Sequence, residues 1–239
     1  MTPKIRLFIA APLAAGTTIE PGPAQSHYLL TVMRRQAGDQ VALFNGQDGE
    51  WLATLDPTGR RRCRLRIAGQ LRPQEPEPGP ALLFAPLKRI RQEMLVEKAT
   101  ELGAAALEPL ITRRSVVDRL NRERLRNVAI EAAEQCGRLS VPEIGPPLPF
   151  AAALEGWPAG RRLYVADETG GGRPLLEALR EHGAGDLLVG PEGGFEPDEL
   201  DTLQAREGVV AVGLGRRILR AETAALAALA CWQAVLATG

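Results

Sequence analysis

The residues best suited to chemistry sit in two glycine-bearing segments, each placed after an apolar run. The first is Leu187-Leu188-Val189-Gly190-Pro191-Glu192-Gly193-Gly194-Phe195, with a helix start near Pro197. A buried strand that opens into such a loop leaves backbone amides and carbonyls free to meet a ligand, although three glycines can also serve a tight strand-to-helix turn. The second is Val212-Gly213-Leu214-Gly215-Arg216-Arg217-Ile218-Leu219-Arg220-Ala221-Glu222-Thr223, ahead of a long Ala/Leu helix. It puts another glycine loop at the carboxyl end of a strand, so a parallel sheet is expected to set it beside the first and make one pocket. Leu214, Ile218 and Leu219 give that pocket an apolar lining, which suits a flat heterocycle better than a phosphate. Arg220 and Glu222 flank the helix start, where a mutual ion pair or helix-end electrostatics would also account for them.

Several familiar chemistries fail on spacing. Gly213-Leu214-Gly215 is followed by Ile218 where a dinucleotide fingerprint needs glycine, and Gly183-Ala184-Gly185 precedes its strand instead of following it. None of Lys4, Lys88 and Lys98 follows a glycine, so no Walker motif is present, and neither G-x-S-x-G nor H-E-x-x-H occurs. Cys63, Cys136 and Cys231 lie far apart in sequence, and neither His27 nor His182 neighbours one of them. Neither a disulfide framework nor a metal site is expected, and Cys136 reads as a small packed residue rather than a nucleophile.

Charge offers a second kind of chemistry. The 29 basic and 29 acidic side chains cancel, so any nucleic-acid contact must be a local patch. In Arg60–Ile67 the alternation of a strand would send Arg62, Arg64 and Arg66 to one face and Cys63, Leu65 and Ile67 to the core. Such a face fits a phosphate-tracking surface, and it equally fits a solvated outer face. Arg34, Arg35, Arg89 and Arg91 could extend the basic track. Mixed charges also punctuate Lys88–Glu93, Glu97–Gly103 and Glu131–Arg138, where helical salt-bridge lacing competes with a functional reading.

The elements that must position these residues fall into two groups. Over 239 residues, 45% hydrophobic, the chain has material for two modest domains, divided at the proline-rich RPQEPEPGP running from Arg72 to Pro80. Residues 1–72 read as a small β-barrel or sandwich, with strands near Ile5–Ala10, Val41–Phe44, Trp51–Leu55 and Cys63–Ile67 and one helical interruption around His27–Arg35. Residues 73–80 form the linker. In 81–239, the apolar runs ALLFAPL, RLYVAD, DLLVG and GVVAVGLG alternate with amphipathic segments at Ile90–Leu102, Glu123–Gln135, Pro174–His182, Pro197–Arg206 and Glu222–Leu236. That alternation predicts an α/β domain with a mainly parallel sheet covered on both faces. Gly103 suits the residue just past a helix end, and Pro197 with Asp198 and Glu199 suits a first helical turn. The amino-terminal apolar stretch is broken by Pro12, and no apolar run reaches the roughly 18 residues of a membrane span, so a cytoplasmic protein with no membrane partner is expected.

Five blocks carry a resemblance. GPEGGF at 190–195, GLGRRILRAETAAL at 213–226, EKATELG at 97–103 and AIEAAEQCGRLSVPEI at 129–144 resemble the signature segments of the ribosomal RNA small subunit methyltransferase E family, and HYLLTVMR at 27–34 resembles its amino-terminal block. The resemblance implies a SPOUT-type, trefoil-knotted parallel-sheet domain behind a PUA-like β-barrel, acting as a homodimer without a metal. A knot breaks the rule that chains do not thread, so periodicity carries no trace of it. It further implies S-adenosyl-L-methionine bent in the knot and held by Gly190, Pro191, Glu192, Gly193, Gly194, Leu214, Gly215, Ile218, Leu219 and Arg220. The methyl acceptor would be N3 of a uridine of 16S rRNA, position 1498 in customary rRNA numbering, carried within the small ribosomal subunit, giving 3-methyluridine. The chain departs from the family pattern at Arg216 and Ala221, where proline and threonine are common.

That chemistry asks little of the residues beyond alignment. A sulfonium donor needs no metal, while uracil N3 carries a weakly acidic proton that must be accepted or its anion stabilised. Arg138 and Arg220 are the expected anion or phosphate stabilisers, and Glu192 or Glu222 the expected proton acceptor or positioning group. Two other classes stay open on sequence: a non-catalytic RNA-binding module whose glycine loops cradle phosphate, and a metabolite-binding regulator with no RNA partner.

Overall fold

The computed structural model describes residues 3–117, 119–158, 160–167 and 171–236. The chain forms two compact units. One holds the residues up to Glu77 together with Ala133–Val141, and the other holds Pro78–Ala132 and everything from Pro142 onward.

In the first unit the elements are β1 (Arg6–Phe8), β2 (Thr18–Ile19), α1 (Pro23–His27), a π-helical turn at Tyr28–Val32, β3 (Gln40–Phe44), β4 (Glu50–Gly59) and β5 (Arg62–Arg72). The five strands form one sheet in the order β1-β3-β4-β5-β2. Only the β1–β3 pairing is parallel. Along β5 the burial alternates strictly: Cys63, Leu65 and Ile67 are buried and Arg62, Arg64 and Arg66 exposed. The inward residues of β3, β4 and β5 pack with Ile5, Leu7, Leu13 and Leu29 into one core. The helical interruption starts earlier than its periodicity implies, at Pro23, whose fixed φ and missing amide suit a first helical turn.

The sheet's other side explains why Ala133–Val141 belongs to this unit. Phe44 packs there with Ala133 and Leu139. The Arg6 guanidinium lies 4.5 Å from the centre of the Phe44 ring and donates to the carbonyls of Ala133, Glu134 and Arg138 at 2.6–3.0 Å. The first two are carbonyls that the end of α3 (Arg122–Cys136) leaves without intrahelical partners, and the third lies just past it. Glu77 closes the segment by accepting from the backbone N–H groups of Leu139 and Ser140.

The second unit carries β6 (Ala81–Phe84), α2 (Arg89–Glu101), β7 (Ala106–Ile111), α3 (Arg122–Cys136, its last turn falling in the first unit), β8 (Glu143–Ile144), β9 (Leu148–Pro149), α4 (Phe150–Glu155), β10 (Leu163–Ala166), β11 (Arg173–Pro174), α5 (Leu175–His182), β12 (Asp186–Val189), α6 (Pro197–Gln204), β13 (Val209–Gly213) and α7 (Ala221–Leu236). The sheet order is β11-β13-β10-β12-β6-β7-β8, with β9 also paired to β7. Every one of these pairings is parallel, as expected for strands joined through helices. The central β6 and β12 are buried along their whole length. Asp186 fixes their relation by accepting the Ala81 N–H at 2.6 Å and a bidentate approach from Arg161. Gly103 stands just past α2 with φ +83°, the left-handed conformation that ends a helix without a Cβ penalty. Among the described residues, no helix is long and apolar enough to cross a membrane.

A strand-end cavity and its candidate donor site

The carboxyl ends of three strands of the second unit border one cavity of about 470 Å³. The loop after β12 supplies Gly190, Pro191, Glu192 and Gly194, and the loop after β13 supplies Leu214, Gly215, Ile218 and Leu219. The two loops are not on adjacent strands, as local reading expects, because β10 is inserted between β12 and β13. Its end adds Ala166 and Asp167 to the lining, which sequence reasoning missed. Asp167 is placed by its own N–H, which donates to the Val212 carbonyl at 2.8 Å.

Local structure fixes the first loop tightly. A Cβ on Gly190 would stand 2.7 Å from the Phe195 ring, so only glycine lets the strand end lie against that buried aromatic. The Gly194 N–H donates to the Pro191 carbonyl, closing the turn, and Pro197 then opens α6 with a reciprocal capping box between Glu196 and Glu199. The loop is also gripped from the segment after β7. Arg114 donates to the Gly193 carbonyl at 2.6 Å and to Glu196 at 2.8 Å, and the Arg113 N–H donates to Glu199 at 3.0 Å. Neither arginine was singled out by local motif.

At the cavity's edge a third long-range contact forms. Arg91, on the first turn of α2, ion-pairs with Glu192, and its Nε lies 3.7 Å from Glu222 Oε1. Glu222 is only 6% exposed, and its Oε2 has no hydrogen-bond partner. A buried carboxylate oxygen left in this state is costly, so its retention marks a place where a ligand donor belongs. Arg91, read from sequence as a basic-track residue, thus faces Glu192, which lines the cavity, and Glu222, which lies behind the lining, and Glu222 turns to Arg91 instead of Arg220.

The other sequence-selected residues are placed as follows. Gly193 and Arg220 are exposed and do not line the cavity. Ile218 lines it yet is 86% exposed, and Leu219 is half-buried. Arg138 sits in the first unit, where its guanidinium meets Glu77 at 3.5 Å and the Ser140 hydroxyl at 2.9 Å. Burial pushes the Glu77 carboxyl up, but the donors from Leu139, Ser140 and Arg138 together outweigh it and hold it below the ordinary range. Arg34, Arg62, Arg64 and Arg66 are exposed on the first unit, while Arg35 is half-buried and reaches Asp39 at 3.8 Å. Arg89 is exposed on α2. Among the described residues no cluster of acidic, histidine and cysteine groups could hold a metal ion.

The cavity fits S-adenosyl-L-methionine by size and donor set. Its volume lies within the about 300–1,000 Å³ that holds small organic ligands. Val189, Phe195, Leu200 and Leu214 offer apolar walls to an adenine, the glycine loops offer backbone polar groups, and the charged lining pairs Asp167 and Glu192, suited to a sulfonium or ammonium, with Arg216 and Arg217, suited to a carboxylate.

Comparison with known proteins agrees with this geometry. The model of an RNA methyltransferase domain matches residues 75–233, and that of an RNA methyltransferase PUA domain matches residues 21–68. The ribosomal RNA small subunit methyltransferase E of Rickettsia conorii is 34% identical over 228 residues, covering 94% of this chain and 93% of that protein. A crystal structure of the ribosomal RNA small subunit methyltransferase E from Neisseria gonorrhoeae bound to S-adenosyl methionine superposes with a TM-score of 0.87 at 28% identity, over 97% of this chain and 98% of that one. A Legionella pneumophila methyltransferase in complex with the cofactor SAM superposes with a TM-score of 0.81 at 30% identity, over 96% and 97%. By its domain matches and its identity over nearly the whole of both chains, this chain belongs to the ribosomal RNA small subunit methyltransferase E family.

Proposed function

We propose that this chain transfers a methyl group from S-adenosyl-L-methionine to N3 of a uridine of 16S rRNA, acting in the cytoplasm as a knotted homodimer on the small ribosomal subunit. The observation that carries the reading is the cavity at the ends of β10, β12 and β13, whose lining residue Ala221 directly precedes the buried, incompletely satisfied carboxylate of Glu222. The bound donor supplies an electrophilic methyl on a positive sulfur, which leaves with the electron pair of the broken S–C bond. The residues of this chain do the rest. The glycine loops and Phe195 fix the donor, and Asp167 and Glu192 complement its charge. Glu222 accepts the N3 proton as the N3 lone pair forms the new N–C bond, and Arg91, 3.7 Å away, positions the Glu222 carboxylate. Arg220, exposed beside the start of α7, stabilises the uracil anion or a neighbouring phosphate. Catalysis here is alignment plus one proton transfer, and no metal is needed.

The experiment is calorimetric titration of the donor into the purified protein, followed by transfer of a labelled methyl group to small subunits that lack the modification. Saturable binding with label on a single uridine N3 is expected. RNA binding with no heat from the donor would make the chain a non-catalytic RNA-binding module and overturn the proposal.

A further inference from the structure

A second cavity, of about 380 Å³, lies elsewhere in the second unit, between the first turn of α2 and the first turn of α3. Its charged lining among the described residues is Arg89, Arg119 and Arg124 against the single acid Glu93. Glu93 is shared: it accepts from Arg89 at 3.0 Å and takes a two-pronged approach from Arg124. Those hydrogen bonds, from Arg124 first and Arg89 second, hold its carboxyl at about 2, so it is ionised at any working pH. One carboxylate thereby orients two guanidiniums and spends only three of their ten N–H donors. The unspent donors and the whole of Arg119 leave the site net positive.

Two further features converge on the same place. α2 and α3, of 13 and 15 residues, both begin here, so both present the positive ends of their dipoles. Lys88 gives α2 no side-chain cap, whereas at α3 the Asn121 Oδ1 accepts the Arg124 N–H at 3.0 Å and leaves the Asn121 amide N–H groups to a ligand. The lining also carries two planar amides, Gln92 and Asn121, over apolar Leu87 and Leu120. Gln92 is 2% exposed, its Oε1 accepts the Leu87 N–H at 2.8 Å, and its Nε2 has no partner. A buried amide donor with nothing to give to calls for an acceptor from a ligand.

Guanidiniums and helix starts recognise a phosphate, while planar amides over an apolar floor recognise the edge and face of a base. We propose that this cavity binds one nucleotide unit of the RNA substrate, with phosphate on Arg89, Arg119 and Arg124 and the base against Gln92 and Asn121. The inference rests on the RNA-directed activity proposed above and adds to it a contact site separate from the donor cavity. The two sites share α2's first turn, since Arg91 reaches the donor loop while Arg89 and Gln92 line the second cavity.

The test measures binding of a fluorescein-labelled, uridine-containing single-stranded RNA to the full chain across a salt series. The variants are Arg119→Gln, Arg124→Gln and, as a control for loss of one charge elsewhere, Arg180→Gln on α5. Each cavity variant is expected to weaken RNA binding about three- to tenfold and to lower the slope of log K against log salt by about 0.7, the share of one phosphate. The control should leave both unchanged, and donor calorimetry should be the same in all four proteins. Unchanged RNA affinity and slope in folded Arg119→Gln and Arg124→Gln would overturn the proposal. So would saturable heat from uridine monophosphate or inorganic phosphate that Arg119→Gln abolishes while RNA affinity stays intact, because the cavity would then hold a free anion. Loss of donor binding in the unmodified chain would sink the methyl-transfer reading alone, since the salt slopes decide the cavity independently.

Discussion

Each unit buries a glutamate beside arginine, and the two glutamates are treated differently. Glu50 in the first unit, 1% exposed, accepts from Arg6 at 2.6 Å and from Arg72 at 2.8 and 3.1 Å. Glu222 in the second unit has one arginine at 3.7 Å and one oxygen with no partner. A saturated buried ion has no capacity left for a ligand and serves the fold. An unsaturated one keeps acceptor capacity that a bound molecule can use. The difference separates architecture from site more sharply than burial or charge does.

The comparison breaks first, if it breaks, at Glu222. Glu222→Gln keeps the shape but removes the proton acceptor, so single-turnover methyl transfer should slow by about 10²–10⁴-fold. Thermal unfolding and donor affinity should stay close to those of the unmodified chain. A rate within a few-fold of normal would make Glu222 another structural ion and erase the contrast with Glu50.

Next in size is the opposite substitution. Glu50→Ala leaves Arg6, which is nearly buried, without its carboxylate, and should cost about 3–5 kcal/mol in urea unfolding of the first unit. The same pair sets an acid dependence. Burial pushes the Glu50 carboxyl up, but the hydrogen bonds from Arg72 and Arg6 together outweigh it, so its folded value lies below the ordinary 4.5. Its contribution is therefore complete above about pH 4.5 and is lost as pH falls through the lowered folded value. Glu50→Gln should flatten that part of the stability profile, and an unaltered acid limb would show that the pair contributes nothing.

The same contrast explains what could be read from residue order. The strand-end loops were legible because glycines directly after apolar runs are a local signal, and so was the in-out alternation of β5. Arg91 meets Glu192 across 101 residues and Arg114 meets Gly193 across 79, distances over which no local pattern operates. β10 hid its place between β12 and β13 because strand order is a property of the whole sheet. β7 is not among the apolar runs read as strands, and it carries Pro109, a residue that weakens a strand pattern. The structure tolerates it since β8 pairs at Ala106 and Leu107 and β9 at Leu110 and Ile111, leaving position 109 between them. The return of Ala133–Val141 to the first unit was equally hidden, because it depends on Arg6 and Phe44, far away in sequence.

A smaller effect is expected where the site is held from outside. Arg114 touches the Gly193 carbonyl and Glu196 but does not line the cavity, so it positions the loop. Arg114→Ala should weaken donor binding about fivefold, close to 1 kcal/mol for a partly exposed charged hydrogen bond, with little change in the rate at saturating donor. A fall in that saturated rate instead would show that the loop also aligns the methyl acceptor.

The smallest effect falls on the first unit's outer face, where charge is neither saturated nor buried. Arg64 donates to Glu20 at 2.9 Å, with both side chains more than half exposed. Such a pair contributes at most about 1 kcal/mol, so Arg64→Ala should scarcely move the unfolding midpoint. If Arg62, Arg64 and Arg66 track phosphates, the same variant should lower the salt slope of RNA binding by about 0.7, the share of one released phosphate contact. A slope that does not move, in the single variant and in the triple, would make this face an ordinary solvated strand surface. The contrast between the units would then be complete, with RNA contacts confined to the second and the arginines of the first serving only solubility and fold.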